Sequence, residues 1–221
     1  MKDIINNKIL NIHDLGIIDY EKAYEMQLDM LYKRQKNEIN DSLLILEHPS
    51  VITLGRSAYK SNILISKEEL VRKNIKVFDI ERGGDVTFHN PGQIVGYLII
   101  DLNNHGKDIK LLVWKIENFI INMLKKEYNI NASRINGLRG VWVRNAKIAA
   151  LGISVKKWIT MHGFAINANN DLDGFKLIVP CGIKDKKVTS IKELTGKSIN
   201  KDKLKKYVAS YFADEFGYFV Y

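Results

Sequence analysis

Cysteine and proline are scarce in this sequence. The 221 residues contain one cysteine, Cys181, and three prolines. A single thiol excludes an internal disulfide and any metal site built on paired thiolates. The histidines also lack metal-ligand spacing, and neither a dinucleotide-binding nor a phosphate-loop glycine pattern is present. The sequence therefore predicts no metal ion and no other cofactor.

Long apolar runs are missing as well. The run Ile94 to Ile100 stops at Asp101 and is too short to span a bilayer. The residues that follow Met1-Lys2-Asp3-Ile4 do not form the long apolar core of a signal peptide. We therefore expect a cytoplasmic, monomeric protein without a membrane partner, folded as one domain over residues 1–221.

Positive charge is in excess and unevenly placed. Lys and Arg number 34 against 25 Asp and Glu, a formal net charge of +9. The stretch from Lys184 to Lys206 alone holds nine lysines and three acidic residues. This stretch fits either a docking surface for a polyanionic partner or a solvated lysine-rich helix. Because it lacks interleaved aromatic residues, a nucleic-acid partner is not predicted.

Hydrophobic periodicity predicts a fold with many strands and a few long helices. Predicted helices cover residues 18–38, 66–73, 110–127 and 204–212. Predicted strands cover residues 43–46, 51–54, 77–80, 94–102, 141–143, 147–155 and 160–167. Strands and helices do not alternate strictly, which favours an α+β class with a mixed central β-sheet flanked by helices.

Three positions could carry chemistry. Cys181, between Pro180 and Gly182, is either an inert buried thiol or a nucleophile. Gly83-Gly84 either offers backbone amides to an oxyanion or forms a hairpin turn in which Arg82 pairs with Asp85. Taken alone, Lys147 at the start of a strand is typically a solvated edge charge.

Several motifs occur in a characteristic order. They are Glu47-His48-Pro49, Thr53-Leu54-Gly55-Arg56, Arg82-Gly83-Gly84-x-x-Thr87-Phe88-His89-x-x-Gly92-Gln93-x-Val95-x-Tyr97, Gly140-Val141-Trp142-Val143, Lys147 to Gly152, His162-Gly163-Phe164-Ala165-x-Asn167 and Val179-Pro180-Cys181-Gly182-Ile183. This set resembles the lipoyl(octanoyl) transferase family. Asn90, where glycine is expected, and Leu98, where proline is expected, depart from the pattern.

The resemblance implies transfer of an octanoyl group from octanoyl-acyl carrier protein to a lysine of 2-oxoacid dehydrogenase lipoyl domains or glycine cleavage H protein. It also implies a fold similar to the biotin and lipoate protein ligases. By this resemblance, Cys181 forms the acyl thioester and Lys147 is its acid/base partner. The substrate-binding residues it implies are Arg82, Gly83, Gly84, Asp85, Val86, Thr87, Phe88, His89, Ala150, Leu151, Gly152, Gly163, Phe164 and Ala165.

The chemistry is consistent with these residue types. An ordinary thiol is only a few per cent thiolate near pH 7, so a neighbouring ammonium such as that of Lys147 would increase the attacking species. His89 and His162 could hydrogen-bond substrate or hold loops in place. The alternatives are an ATP-dependent lipoate or biotin ligase, which needs no cysteine, and a cysteine amidotransferase acting between lipoyl carrier proteins.

Overall fold

A mixed β-sheet forms the centre of the computed structural model, which describes residues 9–179 and 187–220. Its strands in these ranges are β1 Ile9–Ile17, β2 Asp41–Glu47, β6 Gln93–Ile99, β7 Ser133–Ile135, β8 Leu138–Val143, β9 Ala146–Lys156, β10 Ile159–Asn167, β11 Lys187–Val188 and β12 Phe219–Val220. Their order across the sheet is β12-β1-β2-β6-β10-β9-β8-β7, and β11 pairs with β9. Four consecutive pairs in this order are antiparallel: β2 with β6, β6 with β10, β10 with β9, and β9 with β8.

Helices cover both faces of this sheet, which confirms the predicted fold class. They are α1 Tyr20–Gln35, α2 Lys67–Arg72, α3 Ile109–Tyr128, α4 Ile191–Thr195 and α5 Lys201–Phe216. α1 packs Ala23 and Leu31 on one face, and α3 and α5 pack on the other. No helix in the described ranges combines the length and apolarity needed to cross a membrane.

α3 illustrates why the long helices are readable from sequence. The Asp108 carboxylate accepts hydrogen bonds from the amides of Lys110 and Leu111 and so caps the first turn. The predicted stripe is buried against the sheet: Leu112, Ile116, Phe119, Ile120 and Met123. Asn129 ends the helix in the left-handed conformation.

The polar strand β1 and the short strand β12 are not predicted. β1 contains Asn11, His13 and Asp14, and it is held in the sheet by parallel pairing with β2 and β12. Parallel partners far apart in sequence leave no local turn signal, so pairing of this kind has to be read from the tertiary structure.

A second, smaller sheet positions the loop that carries Gly83-Gly84. It has the order β4-β3-β5, with β3 Val51–Leu54, β4 Lys76–Asp79 and β5 Val86–His89. Because β4 and β5 lie on opposite sides of β3, the loop between them crosses the end of β3. The hairpin-turn interpretation of Gly83-Gly84 is therefore wrong.

Candidate active site

A cleft with about 520 Å³ of empty space, open to solvent, lies between this loop and the α1 face of the large sheet. Its lining includes all of the fourteen predicted substrate-binding residues except Gly83 and Phe88. Six further lining residues are not among those predictions: Tyr20, Thr53, Ile80, Val95, Tyr97 and His162. The fold therefore brings three distant segments, around residues 82–89, 150–152 and 163–165, to one cleft.

Gly83 and Phe88 lie beside the cleft. Phe88 packs on Phe175 in the core of the smaller sheet, with ring centroids 5.9 Å apart. The Gly83 amide donates to the Ile153 carbonyl of β9 at 3.0 Å. Because that N–H is already hydrogen-bonded, the Gly83 amide cannot donate to an oxyanion as the sequence suggested.

Arg82 contributes a buried positive charge to the cleft wall. Its Nη2 donates to the Thr53 carbonyl at 2.7 Å, and its Nε donates to Thr53 Oγ1 at 3.2 Å. The side chain crosses Gly152, where a Cβ would come within 2.8 Å of Arg82 Cδ. The absence of a side chain at Gly152 therefore allows the loop that carries Arg82 to pack directly against β9.

His48 and Tyr97 form a hydrogen-bonded pair at the cleft. His48 Nδ1 lies 2.7 Å from the Ile18 carbonyl, which can only accept, so Nδ1 carries the proton. The other ring nitrogen, Nε2, then accepts from the Tyr97 hydroxyl at 2.7 Å. Burial lowers the pKa of His48 to about 4, although the Ile18 carbonyl and Asp19 act in the opposite direction. His48 is therefore neutral near pH 7.

A second network fixes the tautomer of His89. Gln93 Nε2 donates to Asn167 Oδ1 at 2.8 Å, so Gln93 Oε1 faces His89 Nδ1, 2.7 Å away. The Nδ1 atom of His89 must donate, which leaves its Nε2 as a hydrogen-bond acceptor. Burial, reinforced by His48, lowers the pKa of His89 to about 3 despite the bond to Gln93.

His162 is held in an uncommon backbone conformation. Its φ is +58° within β10, and its amide donates to Gln27 Oε1 at 2.8 Å. Burial lowers the pKa of His162 to about 4, opposed by Glu81. His162 Nε2 and the Tyr20 hydroxyl are buried without a hydrogen-bond partner among the described residues. Both lining side chains could bond to a polar group of a ligand.

Lys147 lies on β9, the strand that also contributes Ala150, Leu151 and Gly152 to the cleft. It is 8% exposed, and its Nζ is 4.7 Å from the centre of the Trp142 ring. On β11, Val188 pairs with Lys147. Cys181 lies outside the described residues, so its predicted role stays a prediction, as does that of Lys147.

The basic stretch is partly neutralised by acidic side chains elsewhere in the chain. Lys201 Nζ contacts the Glu47 carboxylate at 2.7 Å, and Lys205 Nζ contacts Asp14 at 2.9 Å. Within the described part of the chain, no group of three His, Cys, Asp or Glu side chains could hold a metal ion.

Tyr20 and Tyr97 could have been selected from the sequence but are absent from the predicted site, whereas His162 was already a candidate for a hydrogen bond to substrate. Tyr20 is on the predicted buried face of α1, and Tyr97 and His162 belong to the quoted motifs. Polar side chains inside otherwise apolar elements need hydrogen-bond partners or ligands, and that criterion selects them.

Comparisons with known proteins agree with the geometry. The family model described as lipoyl protein ligase A/B catalytic domain matches residues 19–213. A curated relative from Caldicellulosiruptor saccharolyticus, named octanoyltransferase, is 52% identical over 209 residues, covering 94% of this chain and 89% of the relative.

Solved structures show the same fold. A bipartite lipoate protein ligase from Thermoplasma acidophilum has a TM-score of 0.69 at 14% identity, covering 99% of this chain and 88% of that chain. The biotin protein ligase of Aquifex aeolicus has a TM-score of 0.53 at 15% identity, covering 95% and 70%. At these identities the likeness concerns the fold alone, and it confirms the predicted similarity to the biotin and lipoate protein ligases.

Proposed function

Because the chain belongs to the lipoyl protein ligase A/B catalytic domain family and, within it, to the octanoyltransferases, we propose a specific donor, acceptor and mechanism for it. Octanoyltransferases are acyltransferases. The donor is octanoyl-acyl carrier protein. The acceptor is a lysine of a lipoyl domain or of glycine cleavage H protein. The octanoyl group passes through a thioester on Cys181, with Lys147 as the acid/base partner.

The first step is thioester exchange. The Cys181 thiolate attacks the donor carbonyl, the bond from that carbonyl to the carrier sulfur breaks, and octanoyl-Cys181 forms. The departing pantetheine thiolate takes a proton from the Lys147 ammonium, which leaves Lys147 neutral. An ammonium beside the thiol favours the thiolate before attack.

The second step forms the amide. The neutral amine of the acceptor lysine attacks octanoyl-Cys181, and Lys147 accepts the proton that the nitrogen must lose. The bond from carbon to sulfur then breaks, and Cys181 leaves as a thiolate. The cycle ends with the thiolate and the Lys147 ammonium restored.

One observation carries this proposal. The buried Lys147 lies on β9, and Ala150 to Gly152 of the same strand line the cleft. The lining also includes apolar side chains, Ile80, Val95 and Phe164 among them, and its histidines have lowered pKa values. A partly apolar cleft, lined by the strand that also carries a buried lysine, suits an acyl chain ending in a reactive carbonyl.

Intact-mass analysis tests the proposal. After incubation with octanoyl-acyl carrier protein, the wild-type chain should gain one octanoyl group that hydroxylamine removes, and Cys181→Ser should gain none. The Lys147→Ala variant should fold and still acylate, but more slowly. An adduct on another residue would contradict the mechanism.

A matched incubation separates the alternatives. Octanoic acid and ATP with a lipoyl domain should give no modification, whereas a ligase would modify the domain. The amidotransferase alternative requires an octanoylated lipoyl-type carrier protein as its donor. Replacing octanoyl-acyl carrier protein with such a donor tests this alternative.

A further inference from the structure

A second groove, with about 810 Å³ of empty space open to solvent, borders the cleft on the α3 side of the large sheet. Leu151 lines both the groove and the cleft, and the loop through Gly83 separates them. The two spaces therefore adjoin at Leu151 of β9.

Among the described residues, no strand pairs with the β8 side of β9 between Ala150 and Gly152. β8 pairs with β9 only as far as Ala149, and the Gly83 amide bonds β9 again at Ile153. Arg139 lies across this gap, because a Cβ on Gly83 would be 3.3 Å from Arg139 Nη1. A ligand that leaves the cleft over Leu151 therefore passes the Arg139 guanidinium.

The groove is positively charged on one side. Arg56 and Arg139 both line it and are exposed, and none of the described lining residues is acidic. Neither guanidinium takes part in an ion pair within residues 9–179 and 187–220. Planar guanidinium groups match phosphate oxygens well, which makes the pair suited to a phosphate group.

The other side of the groove is apolar. Ile109, in the first turn of α3, is 44% exposed, and Val113 lies one turn further along. Ile153 and Val155 of β9 complete this side. A ligand that combines an anion with a neighbouring apolar group matches both sides of the groove.

We propose that this groove binds the phosphopantetheine arm of the acyl donor. Arg56 and Arg139 contact its phosphodiester, Ile109 and Val113 contact the adjacent dimethyl carbon, and the amide chain passes Leu151 so that the octanoyl thioester enters the cleft. This inference rests on the proposed function in one respect, that the donor is carried on such an arm.

Equilibrium binding tests the site without requiring turnover. Wild-type protein should bind phosphopantetheine about tenfold or more tightly than pantetheine, because the phosphate adds charge-assisted hydrogen bonds. The double variant Arg56→Gln/Arg139→Gln should lose that difference. Arg72→Gln combined with Lys176→Gln, which removes two exposed positive charges paired with Glu69 and Asp173, is the charge-matched control and should retain it.

Steady-state kinetics give a second readout. With octanoyl-acyl carrier protein, the double variant should show a KM raised about tenfold and a kcat close to that of the wild type, since the arm binds equally in ground and transition states. With octanoyl-pantetheine, which lacks the phosphate, double variant and wild type should be equal.

The outcomes distinguish this inference from the proposed function. If the wild type binds phosphopantetheine and pantetheine with equal affinity, the proposed role of the groove is wrong. It is also wrong if the double variant loses activity equally with octanoyl-acyl carrier protein and with octanoyl-pantetheine. Phosphate-dependent binding through the arginines, in a protein that forms no octanoyl-Cys181, supports the groove and contradicts the proposed mechanism.

Discussion

Gly140 decides the path of the Lys147 side chain. Its φ is +119°, and a Cβ there would lie 2.7 Å from the Ala149 carbonyl and 3.2 Å from Lys147 Cε. The Glu117 carboxylate accepts from the Gly140 amide at 3.0 Å and holds this backbone in place. Lys147 consequently runs past Gly140 toward the Trp142 ring.

Gly140→Ala should therefore displace the Lys147 ammonium and slow octanoyl transfer about 10- to 100-fold, because small misplacements of a reacting group carry penalties of this order. Single-turnover transfer to a lipoyl domain measures the effect. Gly137→Ala is the matched control, since Gly137 also has a positive φ, +76°, but open space around its Cβ position. Similar losses in both variants would contradict a positioning role for Gly140.

At the scale of the elements, Gly96 of β6 leaves room for the Phe164 ring of β10. Gly96 lies opposite Phe164, whose ring covers it so closely that a Cβ on Gly96 would lie 2.6 Å from Phe164 Cε1. The same ring packs against Phe119 of α3, with centroids 5.2 Å apart. One aromatic side chain thus links two central strands to the helix layer and also lines the cleft.

We expect Gly96→Ala to lower the free energy of unfolding by about 1–3 kcal/mol, because the added methyl group overpacks this contact. Urea unfolding measures it. Adding Phe164→Leu should recover part of the loss, so that the two changes together cost less than their sum. Strictly additive losses would show that the Gly96 and Phe164 contact is not the cause.

For the whole molecule, the buried histidines couple stability to pH. His48, His89 and His162 have folded pKa values of about 4, 3 and 4, below the roughly 6.5 of an unfolded chain. Between these values the unfolded state binds more protons than the folded state. Stability is therefore complete above about pH 6.5 and is lost as the pH falls toward 4.

The free energy of unfolding should fall by up to about 1.4 kcal/mol per pH unit for each histidine that remains neutral in the fold. Urea unfolding between pH 7.5 and 5 gives the slope. His89→Gln should reduce that slope by one proton's contribution. A free energy of unfolding that does not change across this range would mean that burial leaves the pKa values of these rings near that of the unfolded chain.

Local signals account for much of the architecture. α3 could be predicted within a residue or two because its apolar stripe and the Asp108 cap lie in one continuous segment. Most of β6 followed from an uninterrupted apolar run, and β10 was predicted although Thr160, His162 and Asn167 interrupt its apolar residues. β1 could not be predicted, because its polar residues are stabilised by strands from both ends of the chain.

The long helices, the central strands, the family and most of the residues that line the cleft could be predicted from the amino-acid sequence. Other features depend on how distant segments pack together: the hydrogen bond from Gly83 to Ile153, the position of β4 and β5 on either side of β3, and the place of Arg139 beside β9. The neutral state of the three buried histidines depends on the same packing. Periodicity records contacts within a segment, whereas strand pairing, burial and the resulting pKa values depend on which distant segments meet.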